Sequence, residues 1–261
     1  MTQSKEGRTT AKAATPLLPQ GKALVLDIET TDLKGDFGHM LMWSAKWLND
    51  PWVYYARIDE STTWRDDCPE SRCDDREVVS TLVELIEQSD MVIYHYGDKF
   101  DWPFINTRCL ANGLLPPAPK SSVDTCKVAR SALKMTSNRL GNLAEFLNDP
   151  DAQKGGLSKK QWKLAAQGHK PTLDEMLDYC VEDIIATEGV YLRLRPVIRI
   201  HPHIAPVMLG EPASVRCPAC GSSNTQSHGP RRTMRQIQHR RRCNACGHTY
   251  IGHRTSIPKG E

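Results

Sequence analysis

The chain has 261 residues, 39% of them hydrophobic and 25% charged, with a formal charge of +3. That length accommodates one full domain and a smaller module, and no apolar run approaches the ~20 residues of a membrane-spanning helix. The composition excludes a helical membrane protein and points to a soluble globular chain with no membrane partner. Charge is unevenly placed: from Glu211 onward nine Lys/Arg face two acids, a net of +7 that leaves −4 for residues 1–210. A basic tail on an acidic body predicts an anionic partner for the tail; the plainer alternative is a solvated arginine-rich surface.

Residues 1–20 are rich in Ser, Thr and Lys, lack the apolar stretch of a secretory signal, and read as a disordered leader. Residues 22–30 (KALVLDIET), 40–48 (MLMWSAKWL) and 52–58 (WVYYARI) read as three strands separated by turn residues, which implies an antiparallel start. Residues 74–90 place Val78, Val79, Leu82, Leu85 and Ile86 at helical intervals behind an acidic first turn. A strand follows over 91–97 (MVIYHYG), then a helix from Trp102 that stops at Asn112 and Gly113. Residues 121–133 and 138–148 give a short strand and further helical pieces, and residues 155–160 read as a surface loop. A long amphipathic helix runs over 172–195, opened by Pro171 and Thr172. Four prolines between 196 and 212 then read as a linker. Strands first, then alternating helix and strand, predict an α/β domain with a mixed sheet flanked by helices. The expected organisation is a leader at 1–20, a catalytic body at 21–196, a linker at 197–212 and a small module at 213–261.

The acids carry the chemistry. In a strand, alternate side chains share a face, so Asp27 and Glu29 point the same way from the end of the first aliphatic strand. Two carboxylates side by side raise each other's pKa unless a cation sits against them. Asp101, in HYGDKFD, lies just beyond a second strand's C-terminal end, the edge where open α/β sheets collect ligands. Tyr179 and Asp183 are four residues apart on one helix face. Asp32 matches none of these groupings and reads as a turn residue.

Taken together, Asp27 and Glu29 in DIET, Asp101 in HYGDKFD, and Tyr179 with Asp183 in YCVED resemble the three motifs of the DnaQ-like DEDD 3′-to-5′ exonucleases of ribonuclease H-like fold. The tyrosine resembles the DEDDy subclass; the histidine subclass would carry His where Asp178 stands. Asp124 and Thr125 resemble the segment that these enzymes carry between the second and third motifs, while Tyr96 departs from the Asn of many members. The likeness spans residues 22–195. It implies hydrolysis of 3′-terminal phosphodiesters to nucleoside 5′-monophosphates, with DNA favoured over RNA. It further implies that Asp27 bridges two metal ions, that Glu29 and Asp183 hold the ion carrying the attacking water, that Asp101 supports the other, and that Tyr179 orients the water. Four carboxylates with no His or Cys among them suit two Mg²⁺ or Mn²⁺. His95 reads as structural, Trp102 and Phe104 as core residues rather than base-stacking ones, and Lys154, Lys159, Lys160 and Trp162 as a solvated loop or a strand guide. A structure-specific endonuclease and a non-catalytic nucleic-acid-binding protein are the competing functions.

Nine cysteines divide into two groups. Cys217, Cys220, Cys243 and Cys246 form C-x2-C-x22-C-x2-C, a spacing that closes a tetrahedral site for one structural Zn²⁺. Gly221 and Gly247 after each pair permit the tight turn. Cys68, Cys73, Cys109, Cys126 and Cys180 are scattered, and with an odd count and no secretion signal they predict a reducing, cytoplasmic setting. His228 and His248 are unnecessary as ligands. Arg231, Arg232, Arg235, Arg240, Arg241 and Arg242 line the hairpin of what looks like a zinc ribbon and are candidates for phosphate contacts. The alternative is a ribbon that docks on a protein, such as a replication or repair factor.

Overall fold

The aliphatic run that ends in the acids becomes the central strand of a mixed sheet in the computed structural model, which describes residues 2–3, 22–62, 74–147, 156–202 and 216–257. The strands are β1 (Thr2–Gln3), β2 (Ala23–Thr30), β3 (Met40–Trp47), β4 (Val53–Arg57), β5 (Met91–Tyr94) and β6 (Ser121–Asp124), in the order β1-β4-β3-β2-β5-β6. β2, β3 and β4 form the antiparallel meander expected, while β5 joins β2, and β6 joins β5, in parallel. Strand order therefore reverses at β2, the kind of switch point where open sheets hold ligands. Thr2 and Gln3 pair with Tyr55 and Tyr54, so the leader is not irregular at its start. The remainder of the leader lies outside the described residues, as do Cys68, Cys73 and Lys154.

Period-two alternation in β2 divides the core. Leu24, Leu26 and Ile28 face α1 (Arg76–Glu87) and α2 (Asp101–Ala111), packing with Val78, Leu82, Phe104 and Ile105. Ala23 and Val25 face the other way, toward Ile184 and Tyr191 of α6 (Lys170–Leu194). Asp27 and Glu29 continue that second face and so look toward α6. Each fully buried aliphatic side chain here contributes roughly 1.5–3 kcal/mol. A buried ion pair ties the first layer together: Asp75, ahead of α1, receives Arg108 Nε and Nη2 at 2.8 and 2.9 Å, and the amide of Met40 at 2.7 Å.

The remaining helices are α3 (Thr125–Ala132), α4 (Leu140–Phe146) and α5 (Lys159–Ala166), all packed against α6. Lys159 and Lys160 are thus the first turn of a helix rather than a loop. A capping box between Ser158 and Gln161 starts it there. No helix among the described residues is long and apolar enough to cross a membrane.

A second, three-stranded antiparallel sheet follows: β7 (Thr225–Arg232), β8 (Gln236–Cys243) and β9 (Thr249–Ser256). The proline-rich segment between the sheets is not a linker from its first residue. Residues 195–197 turn once in a 3₁₀ conformation, and Ile198 and His201 are buried on the body. Residues 203–215 lie outside the described residues. His248, just ahead of β9, donates from Nδ1 to the carbonyl of Arg195 at 3.1 Å and lies 5.6 Å, ring to ring, from His201, which accepts from Tyr191 at 2.8 Å, so the three-stranded unit rests on the end of α6.

Candidate active site and metal centre

Three segments far apart in sequence bring their acids to the C-terminal end of β2. β2 runs past β5, whose pairing with it stops at Val25. Asp101, the first residue of α2, sits near the vacated place, where its own amide and that of Ile28 favour the charged carboxylate. An acid at a helix N-terminus also suits the dipole there. The β2–β3 register shifts between Glu29 and Thr30, an irregularity of the sort that re-aims side chains beside sites. From the other side, α6 presents Tyr179 and Asp183 one turn apart, close enough for each to act on the other's ionisation.

Glu29 and Asp101 are 6% and 3% exposed, and Asp27 and Asp183 are half-buried. Burial, then the charges of Asp101, Glu29 and Asp183, hold Asp27 well above the usual carboxylate range, against a lowering hydrogen bond from Cys180. Burial and the charges of Asp183 and Asp101 do the same for Glu29. Burial pushes Asp101 up to about 7 and Asp183 to about 6, against the lowering influence of the amides near Asp101 and of the Tyr179 hydroxyl near Asp183. Among the described residues none of the four is in an ion pair, and Asp101 Oδ1 is buried without a hydrogen-bond partner. Four mutually repelling carboxylates with an orphaned oxygen fit a divalent cation, and their hard oxygen donors fit Mg²⁺ or Mn²⁺. Tyr179 is driven well above its ordinary pKa by burial, then by the charge of Asp183, and remains a hydroxyl donor.

One expectation fails. The acidic cluster is not free of cysteine: the Cys180 thiol lies 3.6 Å from Asp27 Oδ2, and Asp27, Glu29 and Cys180 bring donor atoms within 4.8 Å of one another. Its place next to Tyr179 in YCVED is the only signal the sequence carries. Burial and the surrounding acids push this thiol far up, so it stays protonated. Asp124 has a part that spacing alone does not reveal. It accepts from the amides of Tyr96, Asp98 and Lys127 at 3.0, 3.2 and 3.1 Å and so sets the loop leading to Asp101. His95 is held between Thr125 Oγ1 and the Asn138 carbonyl, at 2.8 and 2.9 Å. Phe104 is core, Trp102 and Trp162 pack against the core, and Asp32 sits exposed in a turn that its carboxylate closes onto the Lys34 amide.

The four paired cysteines also meet. Cys217 and Cys246 sulfurs are 3.6 Å apart, as are those of Cys220 and Cys243, and all four lie within 4.8 Å. These sulfurs are too far apart for disulfides and match the edge of about 3.8 Å that ~2.3 Å Zn–S bonds impose on a tetrahedron. Gly221 and Gly247, at φ +72° and +77°, return their amides to the carbonyls of Cys217 and Cys243. Thiol hydrogen bonds, first from Cys217, lower Cys246 to about 4. His228 is exposed and His248 serves the contact with Arg195, so neither joins the sulfurs.

The six arginines do not act alike. Arg241 spends its guanidinium on Thr225, at 2.9 Å to both Oγ1 and the carbonyl, and Arg240 reaches the Gly229 carbonyl at 3.4 Å. Arg231, Arg232, Arg235 and Arg242 are exposed. Register sets Arg231, Gln238 and Arg254 abreast across the three strands, which adds Arg254 to the basic surface.

No curated protein sequence matches the chain at a significant level. Among solved structures, the family B DNA polymerase from the hyperthermophilic archaeon Pyrobaculum calidifontis resembles it with a TM-score of 0.52 and 17% identity, a likeness of fold. The match covers 69% of this chain and 26% of the polymerase, so the chain spans about a quarter of that protein's length. Residues 24–195, the sheet of β2–β6 with its six helices and all four acids, match the model of the RNase_H superfamily, and the chain belongs to that superfamily.

Proposed function

We propose that the protein is a metal-dependent 3′-to-5′ exonuclease of the DEDDy type, working through two divalent ions and releasing nucleoside 5′-monophosphates. The observation that carries the reading is the mutual repulsion of Asp27, Glu29, Asp101 and Asp183 at the end of β2, with one buried Asp101 oxygen left unpartnered and no cationic side chain paired to the four among the described residues. Membership of the superfamily and the likeness of fold to a DNA polymerase support nuclease chemistry and a nucleic-acid substrate. Asp27, Glu29, Asp101 and Asp183 would hold Mg²⁺ or Mn²⁺, which when bound supplies Lewis acidity and a hydroxide near neutral pH. Tyr179, protonated and held by Asp183, orients the attacking water as a donor and is no general base. The thiol of Cys180 donates toward Asp27 at 3.6 Å.

Cys217, Cys220, Cys243 and Cys246 would hold one structural Zn²⁺, and the ribbon's exposed arginines would contact phosphates. Among the described residues the buried hydrophobic cluster of that unit consists of Ala219, Tyr250 and three of the four cysteines, so the metal would supply most of its folding free energy. Reduced thiols at both centres suit an intracellular, reducing compartment. The test is digestion by the full chain with Mg²⁺ or Mn²⁺ of a 5′-labelled single strand and of a closed circle. A ladder shortening from the 3′ end, with mononucleotide product and an intact circle, is expected. Cleavage of the circle instead establishes an endonuclease.

A further inference from the structure

Between the loop that leads to Asp101 and the start of α3 lies an open cleft of about 590 Å³ lined by Tyr96, Asp98, Lys99, Asp124, Lys127, Arg130 and Ser131. Its central residue is held at a conformational cost. Tyr96 has φ +70°, a left-handed backbone that a bulky residue rarely adopts. Asp124 holds it there by accepting the Tyr96 and Asp98 amides, and the next residue has to be glycine, since any Cβ on Gly97 would fall 2.2 Å from the Tyr94 ring. The result is a large aromatic ring 43% exposed on the loop that ends at Asp101, when a glycine would fit that backbone without strain. Strain kept at an exposed aromatic points to a use for the ring.

The cleft's charges fit an anion bound next to that ring. Arg130 sits over the Tyr96 ring at 5.2 Å, and neither it nor Lys99 is in an ion pair among the described residues. Lys127, 75% exposed, is paired with Asp98 at 2.8 Å. Asp98 keeps the Tyr94 hydroxyl at 2.7 Å and Ser122 at 3.3 Å when Lys127 turns to another anion. Asp124 is committed to backbone amides and close enough for its charge to act on Asp101, which ties the cleft to the acidic site through one residue.

We propose that this cleft holds one unpaired nucleotide of the substrate strand, its base on the face of Tyr96 and its phosphate against Lys99, Lys127 and Arg130. An exposed ring offers a stacking platform to any base, but only to one freed from a duplex. The inference rests on the nuclease reading above and names its substrate as a single strand at this point.

The test measures binding of a fluorescein-labelled oligothymidylate to the full chain by anisotropy, with Ca²⁺ in place of Mg²⁺, for wild type, Tyr96→Phe and Tyr96→Gly. Tyr96→Phe is expected to bind within about twofold of wild type, and Tyr96→Gly about tenfold more weakly, the order of one stacked base. Tyr96→Gly should melt no lower than wild type, because glycine relieves the backbone. Unchanged affinity in Tyr96→Gly, or no binding by wild type, overturns the cleft. Hydrolysis is scored separately with Mn²⁺. A wild type that cleaves nothing yet loses affinity in Tyr96→Gly contradicts the nuclease reading and keeps the cleft. One that cleaves and binds equally well without the ring contradicts the cleft alone.

Discussion

The thiol of Cys180 rests 3.6 Å from Oδ2 of Asp27, at the point where α6 crosses the end of β2. Sulfur therefore stands inside an otherwise oxygen-rich cluster. A soft ion can displace a thiol's proton and bind the sulfur where a hard ion cannot, so this contact makes the site selectively vulnerable. Cd²⁺ should inhibit the wild-type activity at micromolar concentration, and Cys180→Ala should tolerate about tenfold more Cd²⁺ while retaining most of its Mn²⁺-dependent rate. Inhibition curves for the two proteins check this, and superimposable curves would show that the thiol takes no part.

Protons and metal compete for the acids. Asp101 and Asp183 sit near 7 and 6 in the folded chain, above the roughly 4 of an unfolded carboxylate. Between those values the metal-free folded state binds more protons than the unfolded state, so its stability falls as pH rises from about 4 to 7. A bound cation replaces the protons. The rise in Tm on adding Mg²⁺ or Mn²⁺ should be small at pH 5 and large at pH 8. Scanning fluorimetry across that range settles the sign, and equal increments at both ends would contradict it.

Asp75 and Arg108 form a buried bidentate pair joining the start of α1 to α2, the helix that carries Asp101. Removing one partner strands the other charge. Asp75→Ala should lose about 3–5 kcal/mol of stability in urea unfolding. A loss under about 1 kcal/mol, the range of exposed pairs, would mean that the guanidinium finds water.

In the three-stranded unit, Arg241 is a structural residue and Arg231 and Arg254 are exposed surface cations. Each phosphate that a cation neutralises adds about one unit to the slope of log affinity against log salt. Replacing Arg231 and Arg254 by Ala should therefore flatten that slope by about one unit for each arginine that meets a phosphate. Arg241→Ala should instead loosen the ribbon, seen as faster release of Zn²⁺ to a chelator. Binding whose salt dependence ignores Arg231 and Arg254 favours a ribbon that docks on protein.

Much of this is legible where side-chain periodicity speaks alone. β2 and β3, α1 and α6 have strong apolar patterns, and they stand within three residues of where the pattern puts them. β5 ends at Tyr94 rather than at Gly97, because Asp124 pulls the next amides out of the sheet from thirty residues away. The signal for α5 is local: Ser158 and Gln161 have capping-box spacing, but the glycines just before them suggest a loop. Cys180 at the acids, the Asp75–Arg108 pair and the burial of Ile198 and His201 depend on which faces meet. No spacing in the chain encodes that.

The most direct test of the acidic centre is the Mn²⁺-dependent hydrolysis of a 5′-labelled single strand by wild type, Asp27→Ala and Asp183→Ala, each checked for folding by circular dichroism. Wild type should release nucleoside 5′-monophosphates from the 3′ end. Each variant should lose about a thousandfold or more of that rate, the equivalent of roughly 4 kcal/mol of metal-borne stabilisation, with its fold intact. Retained hydrolysis in either folded variant would contradict the assignment of these carboxylates as the catalytic metal site.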